Sequence, residues 1–341
     1  MQLEVMTNSK SLAENNSRIK DFFRYIGHSI YSFFKRNMYI FIGLIAICII
    51  VTLLTDKFFT VSNGMNILRQ VSTNALLAFG MTLVMISGGI DLSIGSIVAV
   101  SGTFAIGLSV SGLPVIISIF IGIVAGTALG LINGLVIAKT HMPAFIVTLA
   151  MMNIARGIAY IYTGGLPINF NDPLYSFIGN GYIGGFFPVP VFIMLVLMIF
   201  NGLLLSKSRF GRHIYAIGGN RNAAQFSGIK IFKAEVLAYV ISGLLASVTG
   251  IMLSARMYSA LPTVGQGFEM DAIAAVVLGG TSFTGGSGSI GGTMIGVLII
   301  GVLNNGMNLL QIPFYYQLLL KGVVIVFAVY LDTMKKRKAG V

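Results

Sequence analysis

The sequence predicts an all-α polytopic membrane protein with about ten transmembrane helices, some of them short or broken. Composition is the first reason: hydrophobic residues make up 56% of the 341, and mean hydropathy is +0.90. Length is the second. Apolar stretches of 17 to 25 residues recur along the whole chain, matching the ~20 residues a helix needs to cross ~30 Å of hydrocarbon. Charge placement is the third, because Lys and Arg gather in short flanks of those stretches. The 42 Gly suit membrane helices in close contact. With no Trp, any interfacial aromatic belt falls to the 13 Tyr and 24 Phe.

A basic segment, 1–38, comes first. The apolar run Tyr39–Thr55 lies far along the chain for a signal peptide, and TLLTDKFFT offers no A-x-A-like site. It reads as an uncleaved signal-anchor. Asp56–Gln70 reads as a polar connection containing a short interfacial helix, Asn63–Arg69. Spans follow at 71–87, 93–110, 114–138, 143–163 and 188–205. The connection 164–187, with Asp172 and several Asn and Gly, suits an irregular surface loop or a plain connector. A polar break, 206–233, precedes spans at 234–255, 271–280, 290–310 and 314–331. The stretch 271–280 is too short to cross alone and reads as half of a broken or re-entrant helix. Residues 39–332 thus form one transmembrane domain, and 333–341 a basic tail.

Ten spans put both termini on one side. With that side cytoplasmic, 17 of the 22 Lys and Arg lie inside and only Lys57, Arg69 and Arg256 outside, which sets the orientation. The formal charge of +12 therefore reports topology and not a nucleic-acid surface. Cys48 is the only cysteine, and His28, His141 and His213 are scattered. Neither a disulfide nor a metal centre is expected, and no cofactor is implied.

Two glycine-rich turns, GGIDLSIGSI from Gly88 and GGTSFTGGSGSI from Gly279, each follow an apolar run. Either the halves are a weak internal repeat, as is common in transporters, or two such turns look alike by chance. The second turn is no phosphate loop: it lacks G-x-x-x-x-G-K-[ST], and Lys is absent from 234–320. In the first, Asp91 or Ser93 is placed to cap the following helix. The alternative sets Asp91 beside a polar pathway.

Arg156 lies within a span and needs a partner, water or a functional role; backbone carbonyls, Glu269 and Asp271 are the candidate partners. Lys321 either snorkels or pairs. Asn74, Asn153, Asn304, Asn305 and Asn308 either line a polar route or bond between helices.

The break 206–233 concentrates six Lys/Arg and no Asp or Glu. Within it Asn220 caps a predicted short helix over Arg221–Ser227, and Gly228 suits a left-handed stop. That helix presents Ala223 and Ala224 beside Phe226. It either docks into a groove on a soluble partner or lies on lipid headgroups through Arg221 and Lys230; spacing does not choose.

The stretches GGIDLSIGSIVAVSG, GLINGLVIAKTHMPAFIVTLAMMNIARG, FGRHIYAIGGNRNAAQFSGI, LPTVGQGFEMDAIAAVVLGGTSFTGGSGSIGG and LNNGMNLLQIPFYYQLLLKGVVIVFAV occur in this order. Together they resemble the permease subunits of bacterial ATP-binding-cassette importers of the ribose/galactose class, nearest the ribose members. The likeness runs from about Leu53 to Asp332. It implies a permease without catalysis of its own, paired with a second copy in the membrane. It also implies a cytoplasmic ATP-binding subunit and a periplasmic or lipid-anchored sugar-binding protein, with a monosaccharide as cargo. Residues Asn220, Arg221, Ala223, Ala224, Phe226 and Gly228 then resemble the region that couples to the ATPase. An ion-coupled carrier fits less well, since Arg156 and Lys321 are the only ionisable groups clearly within the spans. A membrane enzyme fits less well still, lacking a nucleophile–base pair.

Overall fold

A computed structural model describes residues 38–339. The expected basic N-terminal segment, 1–38, lies outside the described residues apart from Met38. The chain divides into two units, Met1–Ile45 and Ala46–Val341. Of the first, only the opening of α1 (Met38–Leu54) is described; the bundle belongs to the second.

The helices are α2 (Val61–Ile86), α3 (Ile94–Val110), α4 (Val115–Thr140), α5 (Ala144–Thr163), α6 (Pro173–Asn180), α7 (Val189–Lys207), α8 (Arg209–Gly219) and α9 (Arg221–Phe226). Then come α10 (Ile231–Met257), α11 (Phe268–Leu278), α12 (Ile290–Leu309) and α13 (Phe314–Ala339). Four two-residue strands pair as Ile168–Asn169 with Ser259–Ala260, and Tyr182–Ile183 with Phe187–Pro188. Among the described residues, six helices are long and apolar enough to cross a membrane: α2, α4, α5, α7, α10 and α12. Shorter apolar helices cover Ile40–Leu54, Ile94–Val110 and Phe314–Phe327.

Helix α10 lies inside the bundle against α2, α3 and α4. Its approach to α4 depends on small residues. A Cβ on Gly130 would stand 2.5 Å from the Tyr239 carbonyl oxygen, and one on Gly243 2.9 Å from that of Gly126. Such contact between backbones is how membrane helices associate when lipid is as apolar as their side chains. Helix α2 is buried throughout from Val71 to Ile86. By contrast α4, α5 and α7 turn large apolar side chains outward, with Ile116, Phe120, Ile161 and Phe200 all exposed.

Three expectations need correction. The separate helix at Asn63–Arg69 is the first part of α2, whose N-cap Thr60 accepts the Asn63 amide. Nothing in 61–71 breaks the helix, and the Ser72 and Thr73 hydroxyls bond carbonyls three residues back, leaving the ladder intact. The connection 164–187 is partly folded into the bundle. Asp172 accepts the Leu174 and Tyr175 amides at 2.9 and 3.1 Å, Pro173 occupies the first helical position, and Tyr175 is buried with its hydroxyl 2.6 Å from Ser254 Oγ. Burial raises the Tyr175 pKa above its ordinary value. Finally, most of 206–233 is helical: α7 runs to Lys207 and α8 occupies 209–219. Phe210, Ile214 and Ile217 recur at helical spacing, and the two isoleucines are buried.

Helix α11 is eleven residues long, about 16 Å at 1.5 Å per residue. The chain from 279 to 289 is non-helical, and α12 then returns beside α11, antiparallel to it. A Cβ on Gly279 would meet the Gly292 carbonyl at 2.5 Å, and one on Gly296 the Ala275 carbonyl at 1.9 Å.

Both glycine-rich turns close their helices in the same way. Gly88 and Gly280 have φ of 89° and 84°. The amides two and one residues past each cap bond back as Gly89 to Val84 and Gly88 to Met85, and as Thr281 to Val276 and Gly280 to Val277. The two turns differ in the length of chain before the next helix, α3 starting at Ile94 and α12 at Ile290.

Candidate functional site

One end of the bundle is built from α8, α9, the C-terminal end of α2 and the start of α10. Ser208 caps α8 by accepting the Gly211 amide at 3.1 Å, and Asn220 both ends α8 and caps α9 by accepting the Ala223 amide at 2.9 Å. Gly228, at φ 76°, closes α9, with its amide on Gln225 and that of Ile229 on Ala224. The sequence places this cap and stop correctly. It misplaces one side chain: Ala224 is only 2% exposed, whereas Ala223 faces outward and Phe226 is 92% exposed. In a helix of one and a half turns, 223 and 224 point about 100° apart, so one of the two must face the body.

Arg221 has a partner within the chain. It forks onto Glu235 of α10, one bond at 3.2 Å and the other shorter. Glu235 is buried while Arg221 remains partly exposed. A bidentate guanidinium–carboxylate pair fixes orientation as well as distance, so α9 is tied to a membrane-length helix at the residue just past its cap. Sequence reasoning misses Glu235, whose one local signal is that it is the first acidic residue after a wholly basic stretch.

Asp91 is more than a cap. Ser93 is the N-cap residue of α3 and makes no side-chain capping bond. Asp91 Oδ1 accepts the Ser93 amide at 3.1 Å and the Ser93 hydroxyl at 2.6 Å, while Oδ2 accepts the Ser242 hydroxyl of α10 at 2.8 Å. Asn133 of α4 donates to Ser93 Oγ at 2.9 Å. All four residues are buried. One carboxylate therefore joins α3, α4 and α10 through hydroxyl groups. The two ion pairs found among the described residues involve other groups.

Toward the opposite end, Arg156 hydrogen-bonds backbone carbonyls, while Glu269 acts on it through charge alone. Its Nη1 donates to Val264 at 2.7 Å and, closer still, to Pro262, pinning the segment between α10 and α11 onto α5. Asp271 instead pairs with Lys321 of α13 at 2.9 Å and accepts Asn304 of α12 at 3.1 Å. Asn305 and Asn63 exchange amide bonds at 2.8 and 3.0 Å. Asn153 lies exposed on α5 and donates to its own helix at Leu149. Asp91 with Ser93, the six residues at 220–228, Asn153 with Arg156 on α5, and Asn305 are thus in separate places. The buried Asn305 bonds between helices.

These features define a helical membrane protein: membrane-length helices held together by buried polar nodes, with a capped helix displayed at one end. Residues 63–329 match the family described as branched-chain amino acid transport system / permease component, and the chain belongs to it. It is 50% identical over 297 residues to the ribose import permease protein RbsC of Bacillus subtilis (strain 168), covering 86% of this chain and 92% of that one. It is 46% identical over 301 residues to the RbsC of Escherichia coli (strain K12), covering 86% and 93%. Identity to the D-allose transport system permease protein AlsC of the same strain is 38% over 296 residues, covering 86% and 90%. No solved structure matches the chain. The protein is a transporter component of the bacterial inner membrane, multi-pass, and not an enzyme.

Proposed function

We propose that the chain is the membrane-spanning subunit of an ATP-driven monosaccharide importer, with ribose as the sugar. The observation that carries it is the 50% identity to a ribose import permease across 86% of the chain, against 38% to a D-allose permease. ATP is hydrolysed by a separate cytoplasmic subunit, and a periplasmic or lipid-anchored binding protein delivers the sugar. Two copies of the chain pair in the membrane.

The topology is ten crossings with both termini cytoplasmic: α1–α5, α7, α10, α11 continued by 279–289, α12 and α13. Residues 1–38 and 333–341 are then basic cytoplasmic ends, 39–332 the permease domain, and 206–233 the coupling loop. Phe226, exposed on a capped helix whose Arg221 grips Glu235, supports this placement of the ATPase. It offers an apolar anchor on a rigid mount, the usual make-up of a hot spot. The cargo carries no charge, so hydroxyl and amide contacts suffice along its path.

The test is uptake of radiolabelled ribose into proteoliposomes holding this chain with its ATPase, given the loaded binding protein outside. Uptake that depends on ATP and is competed by ribose better than by xylose or allose is expected. Uptake driven by an ion gradient without the ATPase would refute the reading.

A further inference from the structure

We infer that the non-helical segment 279–289 is the part of the bundle that the coupling loop moves, and that Tyr215 and Gly218 are the positioning residues joining the two. This rests on the reading that 206–233 engages the ATPase. Gly218 lies at the end of α8, which passes through Asn220 directly into α9. A Cβ at Gly218 would stand 1.8 Å from the Ile86 carbonyl oxygen and 2.5 Å from the Gly286 nitrogen. Both are backbone atoms and cannot swing aside. The Gly286 amide donates to that same Ile86 carbonyl at 2.9 Å. One turn earlier, the Tyr215 hydroxyl donates to the Gly288 carbonyl at 2.7 Å.

Three backbones therefore meet with no side chain between them: the end of α8, the end of α2 and the 279–289 segment. Side-chain contacts absorb a small displacement by changing rotamer, but close-packed backbone passes it on. The pieces on the two sides differ in stiffness. Helix α8 has eleven residues and a buried face of Gly211, Ile214 and Ile217. The receiving segment has no helical ladder, and Gly280, Gly285 and Gly286 all have positive φ. A stretch of this kind changes conformation at lower cost than a helix. It also ends at Ser289, the N-cap of α12, so its displacement reaches the seat of that helix. Non-helical backbone at membrane depth is found where it is buried in protein or lines a water-filled cavity. The segment thus combines a driven contact with the freedom to move.

The direct test uses two changes in the full transporter reconstituted with its ATPase and binding protein. Tyr215→Phe removes the hydroxyl's bond to the Gly288 carbonyl without adding volume. It should lower ribose uptake several-fold and disconnect ATP hydrolysis from the loaded binding protein, while the ATPase still co-purifies with the permease as it does with the wild type. Gly218→Ala should give the same uncoupling more strongly if it inserts. Full uptake and coupling in Tyr215→Phe would overturn the inference. Loss of ATPase co-purification in Tyr215→Phe would also overturn it, by assigning the residue to docking. Failure of the ATPase to associate with the wild type would instead refute the docking reading itself.

Discussion

Lys321 of α13 sets its ammonium 2.9 Å from Asp271 of α11, and Asn304 of α12 donates to the same carboxylate at 3.1 Å. Three consecutive helices are thus fastened at one largely buried charge pair. Removing a single partner from such a pair costs about 3–5 kcal/mol, because the remaining charge is stranded, whereas replacing both with apolar residues is close to neutral. Lys321→Met and Asp271→Leu alone should each lower the melting temperature of the detergent-solubilised protein sharply, and the double variant should regain most of the loss. A double variant no better than the worse single one would show that the pair does more than hold the helices.

At Asp91 the two substitutions to Asn and Ala should separate. In Asp91→Asn the oxygen can still accept from Ser93, and the Ser242 hydroxyl can rotate to accept from the new amide. Stability should remain near wild type. Asp91→Ala strands the donors of Ser93 and Ser242, at about 1–3 kcal/mol for each buried group left unpaired. Thermal melting checks both, and ribose uptake in the stable Asp91→Asn protein shows whether the charge itself is used.

The loop helix offers a cleaner division. Phe226→Ala should weaken ATPase association by about 2 kcal/mol, roughly 30-fold, as for an exposed anchor residue, with no change in melting. Ala223→Arg should act in the same direction, since Ala223 faces outward. Ala224→Leu should instead lower the melting temperature, because that side chain is buried. Equal ATPase affinity in the wild type and Phe226→Ala, measured by titration in nanodiscs, would move the docking surface off α9.

Arg221 and Glu235 form a pair of unequal exposure. Arg221→Ala leaves Glu235 buried without its cation, so it should destabilise more than Glu235→Gln, which keeps an acceptor for the guanidinium. With Arg221 partly in water, the difference should be on the order of 1 kcal/mol. Chemical denaturation of the two variants gives the comparison.

At Arg156 the expected effect is local. Arg156→Met unties the carbonyls of Pro262 and Val264, so amide hydrogen exchange should quicken across 258–267 and stay unchanged in α2 and α12.

The helices are legible in the sequence because lipid demands long apolar runs, and the predicted spans 93–110, 143–163 and 290–310 agree with α3, α5 and α12 to within a residue. So is the cap-and-stop of α9, since Asn220 and Gly228 act on their own backbone neighbours. Features that depend on distant partners are not. Arg156 has carbonyls 106 and 108 residues away as its ligands, and no local pattern announces that. Asp91 reads as a cap because its contacts with Ser93 are local, whereas its bond to Ser242 spans 151 residues. Helix α8 escapes a sequence reading because its charges mask a short apolar face, and α6 because Gly and Asn hide the Asp172-Pro173 start signal.

The half-length of α11 also bears on how the chain enters the membrane. Eleven residues reach about half of the ~30 Å hydrocarbon layer, and peptide groups of 279–289 whose partners lie elsewhere in the bundle, as the Ile86 carbonyl does for Gly286, would each cost several kcal/mol if left against lipid. An insertion machinery that releases segments sideways into the bilayer one at a time cannot release this one alone. Helix α11 has to wait in an aqueous or protein-lined space until α12 emerges and folds back along Gly279 and Gly296. The two then partition as a hairpin against helices already in place. Biogenesis is therefore out of step with sequence order at this point, and a stalled chain that has emerged from the ribosome only as far as residue 280 should leave the segment accessible to water-soluble labels.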